Sequence, residues 1–348
     1  MRVLLTGSAG FIGTAVGEVL EADGHEVVRV DLMLPSAHGA TTPPAGTHQL
    51  DVREAADWGG ELLRGVDAVC HQAALVGAGV RVGDLPDYAG HNDLGTAALL
   101  AAMHDAGVDR LVLASSMVVY GEGRYACPEH GDQLPPPREV AALDAGDFEN
   151  HCPACGRALG WELVDESARL DPRSSYAASK LAQEHYTSAW VRQAGAAAVA
   201  LRYHNVYGPG MPRDTPYSGV AAMFRSSLER GEAPQVFEDG GQMRDFVHVG
   251  DVARANLAAL RAVVEAPVGS YAAHNVASGH PLPILDVARL VAAGTADPVE
   301  PEVTGGYRLG DVRHIVASPA RASAELGFTA EIHPEQGLAA FATAPLRA

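Results

Sequence analysis

The sequence predicts an α/β protein: a doubly wound parallel sheet with a smaller C-terminal lobe. Three observations carry this. The first 31 residues run apolar strand, glycine turn, helix, strand. Short apolar strands then alternate with helical stretches, the pattern of a parallel sheet covered on both faces. Beyond about residue 205 the alternation weakens, and Pro and Gly become frequent.

In order, Arg2 to Thr6 is the opening strand, and Gly7-Ser8-Ala9-Gly10-Phe11-Ile12-Gly13 is the turn. Ile12 to Ala22 is helical, with Ala15, Val16, Val19 and Leu20 on one side and Gly24 ending it. Glu26 to Val30 is a strand closing at Asp31. Ala68 to His71, Arg110 to Ala114 and Ala197 to Leu201 are further buried strands. Helices are expected over Leu94 to Ala106 and Ala177 to Gln193. Residues 1–204 thus make one domain, interrupted by a loop-like insertion at 122–170 with Pro135-Pro136-Pro137 and three cysteines. Residues 205–348 are mainly the second lobe, with 244–265 returning to the sheet.

Of the 348 residues, 47% are apolar and 20% charged, which excludes general disorder. No stretch approaches 18 apolar residues, so no membrane span is expected. The N-terminus reaches Gly7 too soon for a secretory signal, so the expected location is cytoplasmic. The net charge of -18 (25 basic, 43 acidic) repels nucleic acid and anionic membrane. An anionic small substrate would need a few well-placed arginines.

Gly7, Gly10 and Gly13 sit between strand and helix at G-x-x-G-x-x-G spacing. Such glycines let backbone approach a pyrophosphate, and the helix N-terminus supplies amide donors. Asp31, at a strand end 18 residues after Gly13, suits the two hydroxyls of an adenosine ribose and repels a 2'-phosphate, favouring NAD over NADP. Asp51-Val52 fits an adenine contact, and Asp51 fits a capping role equally.

Tyr176 and Lys180 are four apart on an expected helix and project from one face. A free tyrosine, with a pKa of about 10, is a poor base. A nearby ammonium and an oxidised nicotinamide favour its phenolate, a base for a sugar or alcohol hydroxyl. Ser116, at the end of the strand 111–115, can bond the same hydroxyl.

With these pieces the chain resembles the extended short-chain dehydrogenase/reductases of the NAD-dependent nucleotide-sugar epimerase/dehydratase family, which have a Rossmann sheet. Matching stretches run nearly end to end: 6–13, His71-Gln72-Ala73-Ala74, Asn92-Asp93-Leu94-Gly95-Thr96, 115–121, 176–180, 202–209, 244–251 and Arg308-Leu309-Gly310-Asp311. The resemblance implies catalysis by Ser116, Tyr176 and Lys180. It implies an NAD site that adds Phe11, Ile12, Gln72, Ala73, Ala74, Asn92, Tyr203, Asn205 and Val206 to the glycines, Asp31, Asp51, Val52, Tyr176 and Lys180. Asn205, Arg244 and Arg308 would hold a nucleotide-sugar diphosphate, and Asp311 the nucleotide's ribose. The helices 94–106 and 177–193 resemble the family's dimer-forming pair, so a homodimer is expected.

Within the family, resembling dehydratases follow the hydroxyl residue with Asp-Glu, and decarboxylases carry a Glu there. This chain has Met117-Val118, with no proton-transfer group. That fits a 4-epimerase acting on a UDP- or dTDP-hexose through a 4-keto intermediate. The alternative it also fits is an NAD(P)H-dependent 4-ketoreductase of a dTDP-4-keto-6-deoxysugar. Gly77-Ala78-Gly79-Val80, read as lying near the hexose, offers few polar groups and leans toward a deoxysugar such as dTDP-L-rhamnose, though the same residues suit a flexible loop equally well. A third reading, a non-catalytic NAD-binding scaffold protein, has no need for the Ser-Tyr-Lys set.

Ser116 and Tyr176 are 60 positions apart, far more than in the resembling family. The extra residues hold Cys127-x2-His130, 21 residues, then Cys152-x2-Cys155. Two such turns can close a tetrahedral, structural Zn2+ site, with His151 a rival to His130 as fourth ligand. Free thiols, or a Cys152-Cys155 redox pair disfavoured in a cytoplasm, are the alternatives. Cys70, in an apolar strand, reads as core.

Overall fold

The computed structural model describes residues 1–38, 41–79, 81–213 and 219–347. The central sheet has seven strands in the order Tyr271–Val276, Ala197–Tyr203, Arg110–Ser116, Ala68–His71, Arg2–Thr6, Glu26–Asp31 and Thr47–Gln49. Every neighbouring pair is parallel. The chain winds outward from Arg2–Thr6 to Thr47–Gln49, returns to Ala68–His71, and winds outward the other way. The reversal falls between Arg2–Thr6 and Ala68–His71, where sheets of this kind bind ligands at the strands' carboxyl ends.

Strand residues alternate between faces, which builds two cores. Val3, Leu5, Cys70, Val112 and Ala114 pack on one side with Val16 and Leu20 of the helix Phe11–Ala22 and with Val252 and Leu260 of the helix Val249–Glu265. Leu4, Val69, Leu111 and Leu113 pack on the other with Leu99 and Met103 of the helix Gly95–Asp105 and Trp190 of the helix Ser175–Ala194. Cys70 is core, as its sequence context suggests, and burial pushes its thiol up to about 12.

Three expectations need correction. The helix expected over Leu94 to Ala106 is Gly95–Asp105, entered through a wider π-helical turn, Ala89–Leu94. The return to the sheet runs past residues 244–265, because Tyr271–Val276 pairs along Ala197–Tyr203 and Ala322 and Phe328 join the first core. The insertion is not a loop: Arg124–Cys127 pairs antiparallel with Gly131–Gln133 and Gly160–Glu162, over a small core of Tyr125, Cys127, Cys152, Leu159 and Trp161.

The C-terminal lobe has its own core, with Tyr207, Phe224, Val236, Phe246, Val287, Leu338 and Phe341. Among the described residues no helix is long and apolar enough to cross a membrane.

Candidate active site

At the sheet reversal a cavity of about 600 Å³ opens over the glycine turn. Gly7 has φ +67, and a Cβ there would meet the amide nitrogen of Ala73 at 2.6 Å. A Cβ on Gly13 would run into the carbonyl oxygen of Gly7. Both positions therefore demand glycine. Gly10 caps the helix Phe11–Ala22 without any side-chain bond, and Gly10, Phe11, Ile12 and Gly13 line the cavity. Uncapped first-turn amides at a helix N-terminus make an anion site. The chemistry of this cradle fits the pyrophosphate of a dinucleotide.

Asp31, only 6% exposed, also lines the cavity. It accepts from the amides of Ala9 (2.9 Å) and Met33 (2.8 Å), and His38 Nε2 lies 3.3 Å away. Burial works to raise its pKa, but His38 and the amides outweigh it and hold the carboxyl below the usual range. Asp51 does both things its context allows. It accepts from the Arg53 amide at the start of a short helical turn, and with Val52 it lines the cavity.

Gln72, Ala73, Ala74, Tyr203, Asn205 and Val206 line the same cavity. The Tyr203 hydroxyl donates to Gln72 Oε1 (3.0 Å), and Asn205 Nδ2 lies 3.2 Å from the Asp245 carbonyl. Asn92 does not reach the cavity. It is fully buried behind the wall, where its side chain takes the Leu75 amide at 2.7 Å and donates to Ser179 Oγ at 2.8 Å. The cause is the π-helical turn, which aims it at the 72–78 loop.

Ser116 ends its strand, and its hydroxyl accepts from the Val118 amide at 3.4 Å. Tyr176 is the second residue of the helix Ser175–Ala194, which Ser174 caps by accepting from the Ala177 amide at 3.1 Å. Ser175 binds the Gly79 carbonyl through its amide and its hydroxyl, fixing the helix start against the 77–79 loop. Lys180 donates to the Ala114 carbonyl at 3.0 Å. Burial pushes the Tyr176 phenol up, opposed by a hydrogen bond with Ser116. Burial pulls the Lys180 ammonium down to about 7, against nearby Glu184. All three residues line the cavity.

A second cavity, of about 490 Å³, shares Gly77, Ala78, Val118 and Tyr176 with the first. Tyr176 therefore stands where the two meet. Met117 and Val118 offer no proton-transfer group there, and Leu309, Gly310, Asp311 and Val312 form the far wall. Val80 lies outside the described residues. Arg308 lines the first cavity, with its guanidinium 4.9 Å from the Phe237 ring centroid. Burial raises the Asp311 carboxyl, opposed by Arg308, Arg244 and Arg138.

Arg244 lines neither cavity. Met243–Arg244 pairs with Leu282–Pro283 and bridges Ile315, and this register turns the guanidinium onto the carbonyls of Met243 (2.9 Å), Arg313 (2.9 Å) and Val312 (2.6 Å). It braces the wall rather than facing a ligand. Sequence reasoning missed Arg347, which reaches the cavity from the far end of the chain and bonds the Ala9 carbonyl. No local pattern marks it.

In the insertion, one ligand atom from each of Cys127, His130, Cys152 and Cys155 lies within 4.8 Å of all the others. Cys127 Sγ is 3.7 Å from Cys155 Sγ, and His130 Nδ1 is 3.5 and 3.6 Å from Cys127 Sγ and Cys152 Sγ. His151 is turned away, onto Asp147 (2.9 Å) and the Gly156 carbonyl (3.0 Å).

The sequence pattern of the NAD dependent epimerase/dehydratase family matches residues 3–141 and 156–277. A dTDP-L-rhamnose 4-epimerase of Burkholderia thailandensis is 34% identical over 348 residues, covering 97% of this chain and 93% of its own. A UDP-glucose 4-epimerase of Thermus thermophilus, solved with NAD, superposes with a TM-score of 0.76 at 31% identity over 98% of each chain. A UDP-glucose 4-epimerase of Thermotoga maritima, solved with UDP-glucose, superposes with a TM-score of 0.78 at 27% identity, over 98% of this chain and 97% of its own.

Proposed function

This chain belongs to the NAD dependent epimerase/dehydratase family, and from that premise we propose that it is a nucleotide-sugar 4-epimerase with resident NAD, acting on a dTDP-linked 6-deoxyhexose of the L-rhamnose type. The observation that carries the reaction is the position of Tyr176. It stands between a glycine-cradled cavity and a second cavity, beside Ser116 and with apolar Met117 and Val118 next to it. The sugar assignment is supported by the small, apolar Gly77 and Ala78 and by the similarity to the rhamnose enzyme.

Gly7, Gly10 and Gly13 would hold the NAD pyrophosphate, and the buried, ionised Asp31 the adenosine ribose, which excludes NADP by charge. Bound NAD supplies the hydride acceptor and donor at the sugar carbon and, while oxidised, a positive charge that favours the Tyr176 phenolate. Ser116 orients the 4'-hydroxyl, and Tyr176 takes its proton. Lys180, anchored on the Ala114 carbonyl, would favour that phenolate in its protonated form. The 4-keto sugar would then turn beside the small residues Gly77, Ala78 and Gly79, and Tyr176 would return the proton to the 4'-oxygen. Asn205 and Arg308 would meet the diphosphate and Asp311 the nucleoside ribose. The helices Gly95–Asp105 and Ser175–Ala194 would pair across a homodimer axis, which light scattering on a sizing column tests.

The test is proton NMR of the sugar H4 signals after incubating the purified protein, without added cofactor, with UDP- and dTDP-sugars. New epimer peaks from a dTDP-6-deoxyhexose are expected. Epimerisation of UDP-hexoses alone would move the substrate. No epimerisation, with NADH consumed only on a dTDP-4-keto-sugar, would make the enzyme a 4-ketoreductase.

A further inference from the structure

We infer that Cys127, His130, Cys152 and Cys155 form a closed Zn2+ site whose task is to position residues 307–314 at the second cavity, a positioning role that rests on the nucleotide-sugar reading above. A tetrahedral Zn2+ has Zn–S near 2.3 Å and Zn–N near 2.0–2.1 Å. Such a site separates two sulfurs by about 3.8 Å, and a sulfur from a nitrogen by about 3.6 Å. The spacings here are 3.7 Å between Cys127 and Cys155, and 3.5 and 3.6 Å from His130 Nδ1 to Cys127 and Cys152. One ion at the centre reaches all four donors. A disulfide needs sulfurs about 2.05 Å apart, and all three thiols are free.

Three thiolates and an imidazole select a soft or borderline ion such as Zn2+ over Mg2+ or Ca2+. Binding converts three thiols and one neutral imidazole, plus Zn2+, into a site of net charge -1 and releases three protons. With four protein ligands no position is left for substrate, so the ion is structural. The small core of the insertion needs it, since two of its few buried side chains are the thiols of Cys127 and Cys152. The family match skips residues 142–155, which hold Cys152 and Cys155, so the cluster lies partly outside what the family pattern describes.

The link to the active site starts three residues before Cys152. Glu149 Oε1 accepts from Arg313 Nε (3.0 Å) and Nη2 (2.5 Å), and its Oε2 lies 3.0 Å from His314 Nε2. The Asn150 side-chain Nδ2 donates to Glu122 Oε2 at 3.2 Å, and that oxygen also accepts from the Arg313 backbone amide at 3.2 Å. Elsewhere in the insertion, Arg138 Nη2 donates to the Asp311 carbonyl at 2.7 Å, and the Tyr307 hydroxyl donates to Asp144 at 2.7 Å. The insertion thus grips residues 307–314 at several points. Between the grips lie Arg308, which lines the first cavity, and Leu309 to Val312, which line the second. Fixing Cys127 against Cys152 and Cys155 fixes the frame from which Glu149 and Asn150 reach across.

The first arm measures metal by mass spectrometry in protein purified without added metal or chelator. About one Zn2+ per chain is expected, lost in the Cys152→Ser, Cys155→Ser double variant. No zinc in fresh protein, and no uptake when the reduced protein is titrated with Zn2+, overturns the metal site. The second arm measures binding of UDP, dTDP and NAD by calorimetry to wild type, to chelator-stripped protein and to Glu149→Gln. Stripping and Glu149→Gln are each expected to weaken nucleoside-diphosphate binding about tenfold or more, with NAD binding unchanged and zinc retained in Glu149→Gln. Unchanged nucleoside-diphosphate affinity in both overturns the positioning role. If stripped protein loses NAD binding as well, Glu149→Gln alone decides. If wild type binds neither UDP nor dTDP, the nucleotide-sugar reading falls with the positioning role, while the zinc result stands.

Discussion

Lys180 donates its ammonium to the carbonyl oxygen of Ala114, 3.0 Å away and two residues before Ser116 on the same strand. One side chain thereby ties the helix that carries Tyr176 to the strand that carries Ser116. Replacing it removes this tie, and with it the ammonium that the proposed mechanism uses to favour the phenolate. Lys180→Met is expected to lower kcat about 10²-fold or more, the scale of losing assisted proton transfer. Tyr176→Phe is expected to lower it at least as far while NAD still binds. Steady-state kinetics with calorimetry of NAD check both.

On the proposed reading, Asp31 sets the cofactor preference. Its carboxyl is held ionised by His38 and by the amides of Ala9 and Met33, against the cost of its burial. Asp31→Ser is expected to weaken NAD binding about tenfold and to narrow the gap between NAD and NADP. Calorimetry of both cofactors gives the ratio, and a variant with the wild-type ratio would mean that the carboxylate is not what repels the 2'-phosphate.

Glu184 and Arg202 form a buried, two-pronged ion pair, with contacts of 2.9 and 2.7 Å, between the Tyr176 helix and the sheet. Breaking such a pair leaves an uncompensated buried charge and costs about 3–5 kcal/mol. Glu184→Ala is expected to destabilise by that amount in denaturant unfolding. Arg213→Ala, at the exposed pair with Glu229, is expected to change stability by less than about 1 kcal/mol.

Two histidines couple stability to pH. Burial lowers both His71 and His204 to about 3, from 6.5 in the unfolded chain. Between pH 6.5 and 3 the unfolded chain binds protons that the folded chain does not. Their contribution is therefore complete above pH 6.5 and is lost as pH falls toward 3. Denaturant midpoints at pH 5 are expected to lie below those at pH 7, and His71→Gln is expected to flatten that slope.

Features set by neighbours in sequence were readable before the fold. Gly7, Gly10 and Gly13 obey a turn's own geometry, and Tyr176 and Lys180 share a face because a helix repeats that way. The two short Cys127-x2-His130 and Cys152-x2-Cys155 spacings marked the cluster but left His130 and His151 as rivals, and the fold separates them by turning His151 onto Asp147 and the Gly156 carbonyl. Features set by tertiary pairing were not readable. Arg244 faces carbonyls because of its bridge to Ile315, and Asn92 faces Leu75 because of a π-helical turn. Glu149 and Arg313 are 164 positions apart, and Arg347 meets Ala9 across nearly the whole chain. Tyr271–Val276 escaped notice as a sheet strand because its two alanines, His274 and Asn275 give no apolar run.

The most direct measurement follows a deuterium at C4 of a dTDP-6-deoxyhexose substrate, in ordinary water and with no cofactor added. Hydride that leaves C4 and returns to the same carbon, with Tyr176 handling only the hydroxyl proton, is expected to leave the label at C4 of the epimer. Loss of deuterium to solvent in step with epimerisation would contradict this, because the C4 hydrogen would then leave as a proton and Tyr176 would be acting on carbon.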